Sequence, residues 1–141
     1  MKIRSYESTD EAAVIALWTA CGLTRAWNDP AKDIARKLTA QPDWFLVSVD
    51  DAQGNELIAS AMFGYDGHRG WVNYLAVSPA CQRRSFARQL MARGEALLRA
   101  AGCPKLNLQL RTGNADVLNF YEHIGYGRDE VVSLGKRLIP D

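Results

Sequence analysis

A chain of 141 residues with a net charge of +1, 48% hydrophobic and 23% charged residues has the make-up of one globular domain, 1–141, and is neither disordered nor fibrous. Near-neutral charge with no long basic run leaves duplex nucleic acid few phosphate partners, so nucleic acid is not an expected partner. No apolar run reaches the roughly 18 residues of a membrane span and no charged, apolar leader opens the chain, which predicts a cytoplasmic protein with no membrane partner.

In chain order, residues 2–6 alternate polar and apolar, a first strand with Ile3 on its buried face. Ser8 and Glu11 have capping-box spacing. Val14, Leu17, Trp18 and Cys21 follow at helical intervals, which predicts an amphipathic helix over 9–21 ending near Gly22. Residues 23–28 are a loop. Asp29 before Pro30 is an N-cap with proline at the first helical position, opening a second helix with Ile34 and Leu38 on its apolar face.

Residues 44–49 and 57–65 are β-rich runs joined by a polar turn at 50–55, and 66–70 is a second turn leading into a strand at 71–77 that Pro79 stops. Phe86, Leu90, Met91, Leu97 and Leu98 share one face of a helix over 85–101 closed by Gly102. Leu106, Leu108 and Leu110 alternate as a strand, 114–124 is a short helix closed by Gly125, and 131–138 is a last strand.

The order β-α-α-β-β-β-α-β-α-β gives an α/β (α+β) domain with a mixed central sheet of six to seven strands flanked by four helices. A single crossover makes the strands at 72–77 and 105–110 parallel neighbours, and ligands collect at the carboxyl ends of such strands. That brings the turn at 82–88 and the helix from 114 to one cleft. Cys21, Cys81 and Cys103 are odd in number and lack C-x-x-C spacing or a matching histidine set, so they read as reduced, packed thiols, and no metal site is expected.

The stretch from Tyr74 to Ala87 runs an apolar strand through a turn into the basic start of the long helix. A helix N-terminus presents unpaired N–H groups and partial positive charge, so this is an anion seat to which Arg83, Arg84 and Arg88 add cations. A solvated surface turn explains Arg83 and Arg84 as well. Downstream lies a second cluster, Asn114, Val117, Tyr121, Gly125 and Tyr126.

Gln82-Arg83-Arg84-Ser85-Phe86-Ala87 matches [RQ]-x-x-G-x-[GA] except that Ser85 stands at the glycine. The second cluster matches N-x-x-[AV]-x-x-x-Y-x-x-x-G-[FY]. In these two motifs and their order the chain resembles the GNAT superfamily of N-acetyltransferases. The resemblance implies acetyl-coenzyme A as cofactor, its pyrophosphate on the backbone of 83–87 with Gln82, its pantetheine along a strand edge at Leu75, Ala76 and Val77, and Asn114 as a further contact. It also implies direct transfer to an amine, with Tyr121 as general acid toward the departing thiolate. A buried aromatic is the other reading of Tyr121, core packing that of Phe86, and an N-cap that of Asn114. Serine at 85 loses glycine's freedom at positive φ but keeps its N–H and gains a hydroxyl.

An amine with pKa near 10.4 is almost wholly protonated at pH 7, so a base is required. Asp66 and His68 are the candidates, with Asp29 behind them; ordinary turn chemistry is the other reading of both. Trp27, Asn28, Asp29, Tyr65, Asp66, Arg69 and Tyr74 are expected to wall the acceptor, a small-molecule or peptide amine. A second copy of the chain is a candidate partner. The alternative function is an acyl-coenzyme A-binding module without turnover.

Overall fold

The computed structural model describes residues 1–82 and 85–141; Arg83 and Arg84, both expected on the cofactor turn, lie outside the described residues. The elements are β1 (Lys2–Ser5), α1 (Glu11–Ala20), α2 (Pro30–Lys37), β2 (Phe45–Asp50), β3 (Glu56–Tyr65), β4 (Gly70–Val77), α3 (Phe86–Ala100), β5 (Leu106–Asn107) and α4 (Ala115–His123). Among the described residues the sheet is five-stranded in sequence order, antiparallel through β4 and parallel between β4 and β5. The predicted mixed sheet with four helices is therefore present with fewer strands than expected.

Two apolar layers sandwich the sheet. Val14, Leu17 and Trp18 of α1 and Ile34 of α2 pack on Phe45, Val47, Met62 and Ala76, while Leu90, Met91 and Leu98 of α3 and Tyr121 of α4 pack on Leu46, Ala59, Ala61, Phe63 and Val72. α3 lies very close to the sheet at Gly94, where a Cβ would stand 2.2 Å from the Phe63 ring. Burial of both faces explains the successive apolar residues Phe45, Leu46 and Val47 at the start of β2.

Several local expectations change. The first helix begins with a 3₁₀ turn, and its cap is Glu7 with Asp10 in place of Ser8 with Glu11: the Glu7 N–H donates to Asp10 Oδ2 at 2.8 Å. Arg4, on the preceding strand, holds that carboxylate with two bonds of 2.7 and 3.0 Å, a tertiary contact that overrides local capping preference. Asp29 caps α2 as expected, its carboxylate accepting from Ala31 N and Lys32 N. Leu38, expected on the apolar face of α2, is 41% exposed, because the helix ends at Lys37 and turns away from the core.

Among the described residues the predicted last strand at 131–138 forms no ladder, and the predicted strand at 106–110 forms one only at Leu106–Asn107. Apolar β propensity sets neither element; a strand exists only where a neighbouring edge lies at ladder distance.

Candidate active site

The site begins where β4 and β5 part. Gly70 faces Leu106 and Trp71 faces Asn107, and no further pair forms along the two strands. The rest of β4, through Leu75, Ala76 and Val77, thus offers an outer edge without a neighbouring strand among the described residues. Ala76 is buried; Leu75 and Val77 are half-buried against the α3 and α4 layer. The terminal carbonyl of β4, on Val77, accepts from Cys21 Sγ at 3.2 Å and from Gln82 Nε2 at 3.3 Å. Burial raises the Cys21 thiol pKa, so this sulfur acts as a neutral donor.

A bulge shapes the same strand. Ser60 pairs with Ala76 and Met62 with Asn73, so Ala61 alone opposes both Tyr74 and Leu75. Tyr74 takes φ of +53°, a left-handed conformation that a bulky residue adopts only when its surroundings enforce it. Two side chains do so: Trp18 Nε1 donates to Ser60 Oγ at 2.9 Å, and Ser60 Oγ donates to the Tyr74 carbonyl at 3.2 Å. The Tyr74 phenol donates to Asp33 Oδ2 at 2.6 Å, and Asn28 Nδ2 donates to the same carboxylate at 3.0 Å. Burial first, and then the Asp33 bond, push the Tyr74 pKa up to about 12.

Past β4 the chain turns through 79–82 to α3. Ser85 occupies the N-cap at φ +63°, the conformation for which glycine is suited, and its hydroxyl accepts from Gln89 Nε2 at 3.0 Å without capping a backbone N–H. Phe86 is buried as core, Ala87 is half-buried, and Gln82 is exposed.

A cleft of about 1680 Å³ lies beside β5, lined among others by Trp71, Asn73, Asn114 and Tyr121. Asn114 occupies the N-cap position of α4 as expected, makes no side-chain cap bond, and lines the cleft. Tyr121 is 5% exposed and packs edge-on against Phe120 and Tyr126. Its phenol makes no hydrogen bond among the described residues, and burial alone raises its pKa.

The acceptor-side residues fall into two groups. Trp27, Asn28, Asp29 and Tyr74 gather around α2, and the Arg111 guanidinium lies 5.7 Å from the Trp27 ring centroid, bridging to the segment after β5. Tyr65, the last residue of β3, and Asp66, His68 and Arg69 of the β3–β4 turn sit at the other end of β4. There Asp66 Oδ1 accepts from the backbone of His68 and Arg69, each at 2.7 Å, and Oδ2 accepts from Trp71 Nε1 at 3.3 Å. These bonds, the one from Arg69 foremost, hold its carboxyl below the usual range. Neither Asp66 nor His68 lines the cleft.

Asp33, Asn73 and Arg111 complete these surroundings and were not singled out from the sequence. Asp33 carried a signal, lying one helical turn after Asp29 on the same side of α2; Arg111 carried none.

The sequence pattern of the Acetyltransferase (GNAT) family matches residues 11–126. Acetyltransferase YE1169 of Yersinia enterocolitica is 46% identical and Acetyltransferase ECA0875 of Pectobacterium atrosepticum 47% identical, each over all of this chain and 98% of its own length. AAC(6')-Iy, solved with the bisubstrate analogue CoA-S-monomethyl-acetylneamine, superposes with a TM-score of 0.74 at 18% identity, over 97% of this chain and 98% of that one. The chain belongs to the GNAT acetyltransferase family and is an acetyl-coenzyme A-dependent N-acetyltransferase.

Proposed function

We propose that the protein acetylates a primary amine on a small molecule or a peptide, by direct transfer, with Tyr121 as the general acid. The observation that carries this reading is the Tyr121 phenol: buried, without a hydrogen-bond partner among the described residues, lining the cleft, its pKa raised by burial. A phenol in that state keeps its proton at neutral pH and has it to give.

Acetyl-coenzyme A supplies an acetyl group activated as a thioester. The open β4 edge suits its extended arm, since backbone amides and carbonyls can pair with a chain laid beside them; Leu75, Ala76 and Val77 are the residues assigned to it. Gln82, Arg83, Arg84, Ser85, Phe86 and Ala87 are assigned to the phosphate end and Asn114 to the side facing α4. Left-handed backbone at Ser85 supports this, because the chain enters the helix as it would with the motif's glycine.

On the acceptor side, Trp27, Asn28, Asp29 and Tyr74 form one wall and Tyr65, Asp66, Arg69 the rim beyond. Of the proposed bases, Asp66 is committed to three hydrogen bonds and its depressed pKa makes it a poor proton acceptor; His68, which like Asp66 does not line the cleft, and Asp29 behind them are the other candidates. Partners in this reading are the amine substrate and a second copy of the chain, and the setting is the cytoplasm; among the described residues no helix is long and apolar enough to cross a membrane.

The test is thiol release from acetyl-coenzyme A over a panel of small amines and peptide N-termini, with calorimetric titration of the cofactor. Turnover that collapses in Tyr121→Phe while binding persists is the expected result. Binding without turnover on any amine would leave an acyl-coenzyme A-binding module instead.

A further inference from the structure

One carboxylate is held against the acceptor wall by groups that the acetyl transfer itself does not use. Asp141 Oδ2 accepts from the Asp29 N–H and Oδ1 from Arg36 Nη2, each at 2.8 Å, while Arg137 Nη1 stands 3.8 Å from Oδ1. The Asp141 side chain is only 7% exposed. Its neighbours are not covered with it: Leu138 and Ile139 are 84 and 63% exposed, and an open gap of about 550 Å³ lies between Arg36 and the chain at 135–139. The carboxylate, and not the packing of its segment, is what α2 recognises.

The donors are placed by α2 itself. Asp29 precedes the helix, so its N–H has no helical acceptor, and Arg36 follows two turns later on the same side. Asp33 lies between them: its Oδ1 accepts from Arg36 Nη1 at 3.1 Å, which fixes the guanidinium and leaves Nη2 for a second acid. Its Oδ2 accepts from the Tyr74 phenol and the Asn28 amide, so one carboxylate joins this seat to the proposed acceptor wall, and Asp29 belongs to both. A backbone N–H and a guanidinium converging on the two oxygens of one group recognise a carboxylate rather than a lone charge. These bonds, the one from Asp29 foremost, hold the Asp141 carboxyl below the usual range, so the group in the seat is the anion.

We propose that the Asp29 N–H and Arg36 form a carboxylate subsite for the acceptor, that Asp141 occupies it in cis, and that the substrate is an amine that also carries a carboxylate, as an amino acid or a peptide acid does. The inference rests on the amine-acetylation reading above. Asp141 arrives tethered, at an effective concentration on the order of millimolar, so a simple carboxylate competes poorly. An acceptor that also engages the site through its amine displaces it. Selection then falls on molecules that hold both groups, and a plain amine leaves Asp141 in place.

Two measurements on the full-length chain test this. Thiol release compares peptides ending in a free carboxylate with the same peptides ending in an amide. The acids are expected to show a kcat/KM about tenfold above the amides; Asp141→Ala should raise that ratio further through KM, and Arg36→Gln should bring it to about one. Amide NMR needs no turnover. The Asp29 N–H resonance should shift in Asp141→Ala, and glutarate at about 10 mM, above the effective concentration of a tether, should return it toward its parent position, but not when Arg36→Gln is added.

Acids and amides used equally well by the parent and by Asp141→Ala would overturn the proposal, as would an Asp29 resonance that ignores glutarate in the Asp141→Ala protein. If no amine is acetylated, the reading beneath it fails and the acceptor role with it, while the glutarate titration separates that failure from an absent seat. Should Arg36→Gln not fold, Asp141→Ala carries both tests by itself.

Discussion

The indole of Trp18 lies 3.8 Å from the ring of Tyr74, 11° from parallel, and the same indole N–H reaches through Ser60 to the Tyr74 carbonyl. One residue of α1 thus holds the strained strand residue from both its side chain and its backbone. Ser60→Ala removes the relay and leaves a fully buried indole N–H unpaired, at a cost of about 1–3 kcal/mol. Urea unfolding measures the loss; a cost near zero would mean that the relay does not hold the bulge.

Tyr121→Phe keeps the ring and deletes only the proton donor. The expected outcome is a fall in kcat of about 10²–10⁴ with the cofactor dissociation constant unchanged. The raised phenol pKa carries a sign: Tyr121 stays protonated, and so able to serve as the proposed acid, as pH rises through the ordinary tyrosine value near 10. An alkaline limb in the pH–rate profile below that value must then come from another group, and it should survive in the residual activity of Tyr121→Phe.

Gly94→Ala drives a Cβ into the Phe63 ring, which is rigid and itself fully buried. A loss of about 1–3 kcal/mol or more is expected. Phe63→Leu combined with Gly94→Ala should cost less than the sum of the two single changes, and a double-mutant cycle reads that coupling. Strict additivity would contradict the contact.

Ser85→Gly relieves a left-handed serine, a conformation costing roughly 1–2 kcal/mol in a residue with a Cβ, against about 0.4–1 kcal/mol of added backbone entropy in the unfolded chain. A slight rise in melting temperature and tighter acetyl-coenzyme A binding are expected. A weakened cofactor complex would show that the hydroxyl contributes more than the backbone freedom.

Asp10 is held below the usual carboxylate range chiefly by the Arg4 hydrogen bonds. A depressed folded pKa contributes stability above the unfolded value of about 3.9 and loses it as pH falls through the lower folded value. Denaturant titrations from pH 6 down to 2 should show this acid slope, and Asp10→Asn should flatten it while lowering stability at pH 6.

Much of the frame was legible because it is written in local chemistry. Asp29 before Pro30 announced α2, and the apolar periodicity to Leu98 with Gly102 announced α3 and the parallel crossover beyond it. What was hidden depended on distant partners. Arg4 decides which acid caps α1, Trp18 and Ser60 decide that Tyr74 bulges, and no turn residue at 74 advertises it. The strand expected at 131–138 had the composition of a strand, but pairing is a property of two segments and the sequence of one does not reveal where the other lies. At the site, the motif spacing brought Asn114 and Tyr121 onto one cleft, whereas Asp66 and His68, offered as bases on the need for a proton acceptor, lie in the turn that leads into β4 and do not line it.

If the coenzyme lies where β4 and β5 part after Trp71, as proposed above, the upkeep of this protein is tied to its fuel. A fold with a slot where a strand would be is most resistant to unfolding when something fills the slot, and a ligand present at a hundred times its dissociation constant adds about 2.7 kcal/mol. Scarcity of the acyl donor would therefore do more than idle the enzyme. It would leave the sheet ajar and hasten the turnover of the protein itself.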